Sequence, residues 1–131
     1  MDYFYYDKEK LCVESVSIDN IAKTFDTPLY LYSRNAIEKN FLKYKAPLEK
    51  HNHRICYAVK ANSNLAVLNI LARLGANFDI VSVGELERVL TAGGKPSNIV
   101  FSGFGVKDPI PSVLWRLEFI VSILNQTLSY T

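Results

Sequence analysis

The run Tyr57-Ala58-Val59-Lys60-Ala61-Asn62 carries a lysine at the end of an apolar segment, where a solvated surface lysine has no reason to sit. Arg54, Cys56, Ala58 and Lys60 alternate with Ile55, Tyr57 and Val59. That alternation predicts a strand over 54–61 with small or polar side chains on one face and bulky ones on the other. Lys60 would then share a face with Ala58, where there is room for a ligand. A partly desolvated lysine amine has a lowered pKa and can condense with an aldehyde. A snorkelling strand-end lysine is the plain alternative.

The surrounding pattern supplies the elements that would hold such a lysine. Residues 3–16 read as an extended aromatic lead-in. A short helix over Ser17–Phe25 follows, capped by Ser17 or Asp19, with Ile18, Ile21, Ala22 and Phe25 as its apolar stripe. Thr27–Tyr32 reads as a strand, with Pro28 tolerated at its start. Ser33 caps a helix to about Tyr44 or Lys45, with Pro47 beyond its end. After the Lys60 strand, Asn62 and Ser63 can cap a helix over Leu65–Leu74 that buries Leu65, Leu68, Leu71 and Ala72, and Gly75 suits its C-terminal exit. Asn77–Val81 is the next strand. Ser82 and Glu85 form a capping box for a helix to Ala92, ended by Gly93 and Gly94, and Asn98–Phe101 is a further strand. Strand and helix alternating at short intervals predict βαβ units with a parallel sheet, covered on both faces. A lysine at the C-terminal end of such a strand, just before a helix, sits where α/β barrels place their chemistry.

The octapeptide at 57–64, Tyr-Ala-Val-Lys-Ala-Asn-Ser-Asn, resembles the pyridoxal-phosphate lysine motif of the barrel-type (fold type III) decarboxylases. Gly75-Ala76-Asn77-Phe78-Asp79-Ile80-Val81-Ser82-Val83-Gly84-Glu85-Leu86 follows at that family's spacing. Then come Ala92-Gly93-Gly94 and Ile99-Val100-Phe101-Ser102-Gly103. From about Val16 to Gly105 these motifs are similar to the diaminopimelate decarboxylase family, many members of which have Gly where Val83 stands.

The resemblance implies an α/β fold, the N-terminal part of a (β/α)8 TIM-type barrel of the alanine racemase-like kind. Residues 1–26 would be a lead-in and 27–105 part of the pyridoxal-phosphate-binding barrel. Lys60 would hold pyridoxal 5'-phosphate as a Schiff base, Ala58 would leave room for it, and Asp79 would lie close to the ring. The substrate would be a small-molecule amino acid, meso-2,6-diaminopimelate, decarboxylated to L-lysine. A neighbouring subunit of a homodimer would complete the site. The phosphate loop, the acid facing the pyridine nitrogen and the substrate-carboxylate groups would follow downstream, so this chain as written is expected to be inactive. Asp79 has a second reading, a strand-end carboxylate bonding loop N–H groups. An ornithine- or arginine-type decarboxylase and a cofactor-binding barrel without enzymatic activity are the rival functions.

Composition sets the outer bounds. The chain has 131 residues, 49% hydrophobic and 21% charged, with a net charge of +2 and scattered basic residues, which argues against a nucleic-acid binder. Its start is aromatic and charged, unlike a secretory signal, and Val113–Leu124 is too short to span a bilayer. Cys12 and Cys56 make no disulfide framework, and Cys56 is expected to pack as a small reduced residue. A cytoplasmic protein without membrane contact follows. His51 and His53 lie in a polar loop with no further ligands for a metal. Gly93-Gly94 is explained by helix termination, and Ser102-Gly103 either lines the cofactor cleft or makes a turn. A closed α/β barrel needs roughly 250 residues, so this length does not close one.

After Gly105 the periodicity stops, and Asp108-Pro109-Ile110-Pro111 breaks any helix. Joining the last base of each codon from Leu117 onward to the first two of the next lets residues 118–130 encode Gly-Ile-Tyr-Cys-Phe-Asn-Phe-Glu-Ser-Asp-Ala-Glu-Leu. That string resembles the family's next strand. It predicts a one-base frameshift between about Val106 and Val113, with 106–131 an aberrant tail.

Overall fold

The computed structural model describes residues 3–103. The lead-in forms an antiparallel meander of β1 (Phe4–Asp7), β2 (Lys10–Val13) and β3 (Val16–Ser17), with Tyr6 opposite Leu11 and Val13 opposite Val16. Helix α1 (Ile18–Phe25) leaves β3 directly and packs back on β2 and β3. Ser17 occupies its N-cap position without a side-chain bond, and Phe25 is exposed. An eight-residue helix on a three-stranded meander has too little surface opposite it to bury its whole stripe.

Residues 27–33 do not form the expected strand. Alternation sets which way side chains point, but a strand also needs a neighbour's N–H and C=O groups. None of the described strands pairs with this segment, and Tyr30 is 90% exposed. Ser33 then caps α2 (Arg34–Leu48), accepting from the Ala36 N–H at 3.0 Å. The helix runs through Pro47, past the expected end. Pro47 sits in the last turn, so it forfeits a single intrahelical bond and breaks nothing downstream.

The rest is a parallel α/β unit: β4 (Cys56–Ala58), α3 (Leu65–Arg73), β5 (Asn77–Ile80), α4 (Val83–Thr91) and β6 (Ile99–Phe101), with strand order β4-β5-β6. Asn64, not Asn62 or Ser63, caps α3, accepting from Ala66 N–H at 2.9 Å; Asn62 supports it by accepting from Asn64 N–H. Val67, Leu68 and Leu71 are its buried residues, while Leu65 in the first turn stays exposed. Helices α3 and α4 end alike. The Ala76 N–H reaches back to the Leu71 carbonyl and the Gly94 N–H to that of Val89, around Gly75 and Gly93 in the left-handed region.

The core lies between the helices and one face of this sheet. Val59, Leu68, Phe78, Ile80, Val89 and Ile99 are fully buried there, each contributing about 1.5–3 kcal/mol relative to exposure. The expected cover on both faces is not seen among the described residues. Cys56, Ala58, Asn77, Asp79 and Val100 form the opposite face, and none is buried. Three strands do not close a barrel, and the described residues form an open parallel α/β unit. Residues 104–131, including the segment expected to be out of frame, lie outside the described residues.

A charge-assisted hydrogen-bond cluster joins the meander to the α/β unit. Glu14, in the β2–β3 turn with φ 53°, accepts from Ser33 Oγ at 2.7 Å, from the Asn35 N–H at 2.9 Å and from Asn35 Nδ2 at 3.0 Å. These bonds hold its carboxyl below the usual range, the Ser33 hydroxyl contributing most and the Asn35 N–H next. Its stabilisation is complete above the unfolded value of about 4.3 and is lost as pH falls through the lower folded value. Glu14→Gln should therefore melt below wild type at pH 7, with the difference shrinking towards zero at acid pH. A melting-temperature series that keeps a constant difference would count against this latch.

Candidate functional site

Strand β4 ends at Ala58, and Val59–Ala61 form a single 3-10 turn. The cause is Val59: its side chain is fully buried in the core, and the ladder to β5 ends where Ala58 meets Asp79. Lys60 is therefore in the turn, not on the strand, and the alternation of 54–58 does not reach it. The expected desolvation of its amine is also corrected, because Lys60 is exposed. It makes no hydrogen bond or ion pair among the described residues. It lies just past the C-terminal end of a parallel strand, two residues beyond Ala58, in a turn that packs against β5.

The register brings the other two candidate residues together. Ala58 lies directly opposite Asp79, and Asp79 opposite Val100, on the face away from the helices. Asp79 Oδ1 is buried and has no hydrogen-bond partner among the described residues. An unanswered buried acceptor costs free energy, and the reading in which Asp79 bonds loop N–H groups leaves that oxygen unexplained. One step back along β4, Cys56 is exposed, not packed as expected, because it too points away from the helices. Although the residue is exposed, protein atoms around the sulfur shield it in part from water, and this desolvation raises the thiol's pKa; the Asp79 charge raises it further, and Arg54 opposes both.

This set fits an aldehyde cofactor: an accessible primary amine, a small neighbour that leaves space, and an orphaned carboxylate oxygen able to accept from a polar group. The remaining candidates serve the fold. Ser82 accepts from the Glu85 N–H at 3.2 Å, but Glu85 reaches back to the Val81 N–H, one residue before the usual capping-box partner. The Ser102 N–H extends the ladder to the Ile80 carbonyl at 3.0 Å. A Cβ on Gly103 would lie 2.8 Å from the Val81 carbonyl oxygen, so this glycine permits a close turn. His53 Nδ1 lies 2.8 Å from the His51 carbonyl oxygen in an outlying loop.

Two features were not read from the sequence. An apolar cleft of about 590 Å3 runs between α2, β4 and α3, with Tyr32, Ala61 and Asn62 at its rim. The Tyr57 hydroxyl donates to the Asn62 carbonyl at 3.2 Å, bridging the lysine turn. Tyr57 stood in the motif from the start, but its partner became visible only once the chain turned at Val59. Among the described residues no helix is long and apolar enough to cross a membrane.

Comparison with known proteins agrees with this geometry. Residues 34–108 match the family described as pyridoxal-dependent decarboxylase, pyridoxal binding domain. The chain is 57% identical over 106 residues to the diaminopimelate decarboxylase of Vibrio cholerae, covering 80% of this chain and 25% of that enzyme. It is 50% identical over 125 residues to that of Haemophilus influenzae, covering 95% and 30%. The crystal structure of the Helicobacter pylori diaminopimelate decarboxylase complexed with L-lysine superposes with a TM-score of 0.64 at 48% identity, covering 67% of this chain and 22% of that one. The chain thus spans about a quarter of the length of such relatives. Motif order, the parallel unit with Lys60 following its first strand, and these matches agree that the chain belongs to the pyridoxal-dependent decarboxylase family and carries its pyridoxal-binding segment.

Proposed function

We propose that this chain is the lysine-bearing segment of a cytoplasmic, homodimeric diaminopimelate decarboxylase, which converts meso-2,6-diaminopimelate into L-lysine and carbon dioxide. The observation that carries the reading is Lys60 just past the end of β4, beside the cross-strand pair of Ala58 and Asp79. Identity of 50–57% with enzymes of that name supports the substrate.

Pyridoxal 5'-phosphate, when bound, supplies the electron-accepting ring that stabilises the carbanion left as carbon dioxide departs. Lys60 contributes the primary amine that tethers it, and the 3-10 turn presents that amine to solvent, where an aldehyde can reach it. Ala58 leaves the adjoining wall open. Asp79 holds a negative charge on the same face, with one oxygen free to accept from the cofactor or its attached groups. Groups that would bind the phosphate and the substrate carboxylate are expected beyond residue 131, so the reaction is assigned to a complete enzyme containing this segment.

We further infer that residues 106–131 are read out of frame, supported by the family-like string hidden at 118–130. Resequencing the coding DNA from codon 95 onward tests this. A single-base difference that opens one continuous frame is expected, and a clean read with no alternative frame would sink it.

Two outcomes check the functional assignment. A gene that supplies this segment in one complete frame should rescue a lysine auxotroph lacking its own decarboxylase, and Lys60→Arg should abolish rescue, because a guanidinium cannot tether the aldehyde. Failure to rescue, with ornithine decarboxylated instead, would transfer the assignment to the ornithine type. The Asp79 charge can be read separately through Cys56. Removing a nearby negative charge lowers a thiol's pKa and raises its thiolate fraction. Asp79→Asn should therefore speed iodoacetamide alkylation of Cys56 at pH 8 relative to Cys12, and an unchanged ratio would place the carboxylate elsewhere.

A further inference from the structure

We propose that the Tyr57 hydroxyl is a positioning group for Lys60: by donating to the Asn62 carbonyl it closes the chain around residues 58–61 and sets where the amine emerges. The inference rests on the proposed role of Lys60 and adds a residue whose side chain does not carry the chemistry.

Three observations meet at the turn. Val59, fully buried, pins the residue before Lys60 into the core. The Tyr57 bond, 3.2 Å long, ties the strand side of the turn to its exit. From the neighbouring helix, Arg88 Nη1 donates to the Ser63 carbonyl at 3.3 Å, bracing the next residue against α4. Among the described residues Lys60 has no hydrogen bond or ion pair to orient its side chain, so its backbone must do so, and that backbone is held on both flanks. Tyr57 is half-buried among Ile55, Val67 and the cleft wall. Burial is the main cause that raises its phenol pKa, the Tyr32 hydroxyl adds to it, and the bond to Asn62 opposes it. The hydroxyl thus stays a neutral donor throughout the neutral range.

A phenylalanine at 57 would fill the same space and lose only the bond, which separates positioning from packing. The full 131-residue chain is compared as wild type, Tyr57→Phe and Arg88→Met, the last removing the second donor from an exposed helix face. Two quantities are read: amide hydrogen exchange at residues 59–63 against 68–72 in α3, and the share of pyridoxal phosphate fixed by borohydride on Lys60 against exposed Lys43. In Tyr57→Phe, exchange in the turn should rise about fivefold, the scale of one lost hydrogen bond, while α3 is unchanged and the Lys60 share falls. Arg88→Met should move both in the same direction by less. Unchanged turn exchange in Tyr57→Phe, or an equal rise in α3, overturns the proposal. So does a loosened turn with an unchanged Lys60 share. Should wild type show no preference for Lys60 over Lys43, the segment alone does not direct the cofactor, and turn exchange alone decides the positioning role; the proposed function is tested separately by rescue of the auxotroph with the complete gene.

Discussion

A side chain on a β-strand points one of two ways, and burying one set commits the other. Phe78, Ile80 and Ile99 are driven into the core beneath α3 and α4. With Phe78 inward, Asp79 must face away, and parallel pairing then places it opposite Ala58. A slip of one residue would expose Phe78 and Ile80 and bury the carboxylate, at a cost of several kcal/mol. The site is therefore held in place by hydrophobic residues that take no part in its chemistry.

The same force ends β4 and makes the lysine accessible. Val59 continues the inward set past the end of the ladder, and reaching the core bends the chain into a 3-10 turn. A lysine on a longer strand would have lain along the sheet face. One residue later, in the turn, it is exposed while its backbone stays anchored. Accessibility of the amine and rigidity of its base come from one buried valine and two side-chain bonds to carbonyls.

The meander is attached by different means. Apart from Val13 it buries little, and its defined polar link to the α/β unit is the Glu14 carboxylate at the start of α2. Charge-assisted bonds to a hydroxyl and a helix N–H are directional, so they fix orientation where apolar area is small. Between α1 and Ser33 lie residues 27–32, in no sheet among the described residues, with Tyr32 at the rim of the cleft along β4.

How far the sequence could be read follows from the range of the forces involved. Helix ends at Ser33, Gly75, Ser82 and Gly93 were legible because caps and left-handed exits act within four or five residues. The βαβ order was legible from alternation, and the Lys60 motif from its resemblance. Missed were the unpaired 27–33 segment, the end of β4 at Ala58, the exposure of Cys56 and the hold of Tyr57 on Asn62. Each depends on what a distant segment places alongside. A strand is completed by its neighbour, a turn by the core beneath it, and a hydroxyl's partner by the path of the chain between them. By itself the sequence determined which residues could do the chemistry and which local structures would carry them. Only the tertiary structure decided that Ala58 and Asp79 stand opposite one another and that Lys60 leaves the strand, because cross-strand register and burial are set by contacts between segments far apart in the chain.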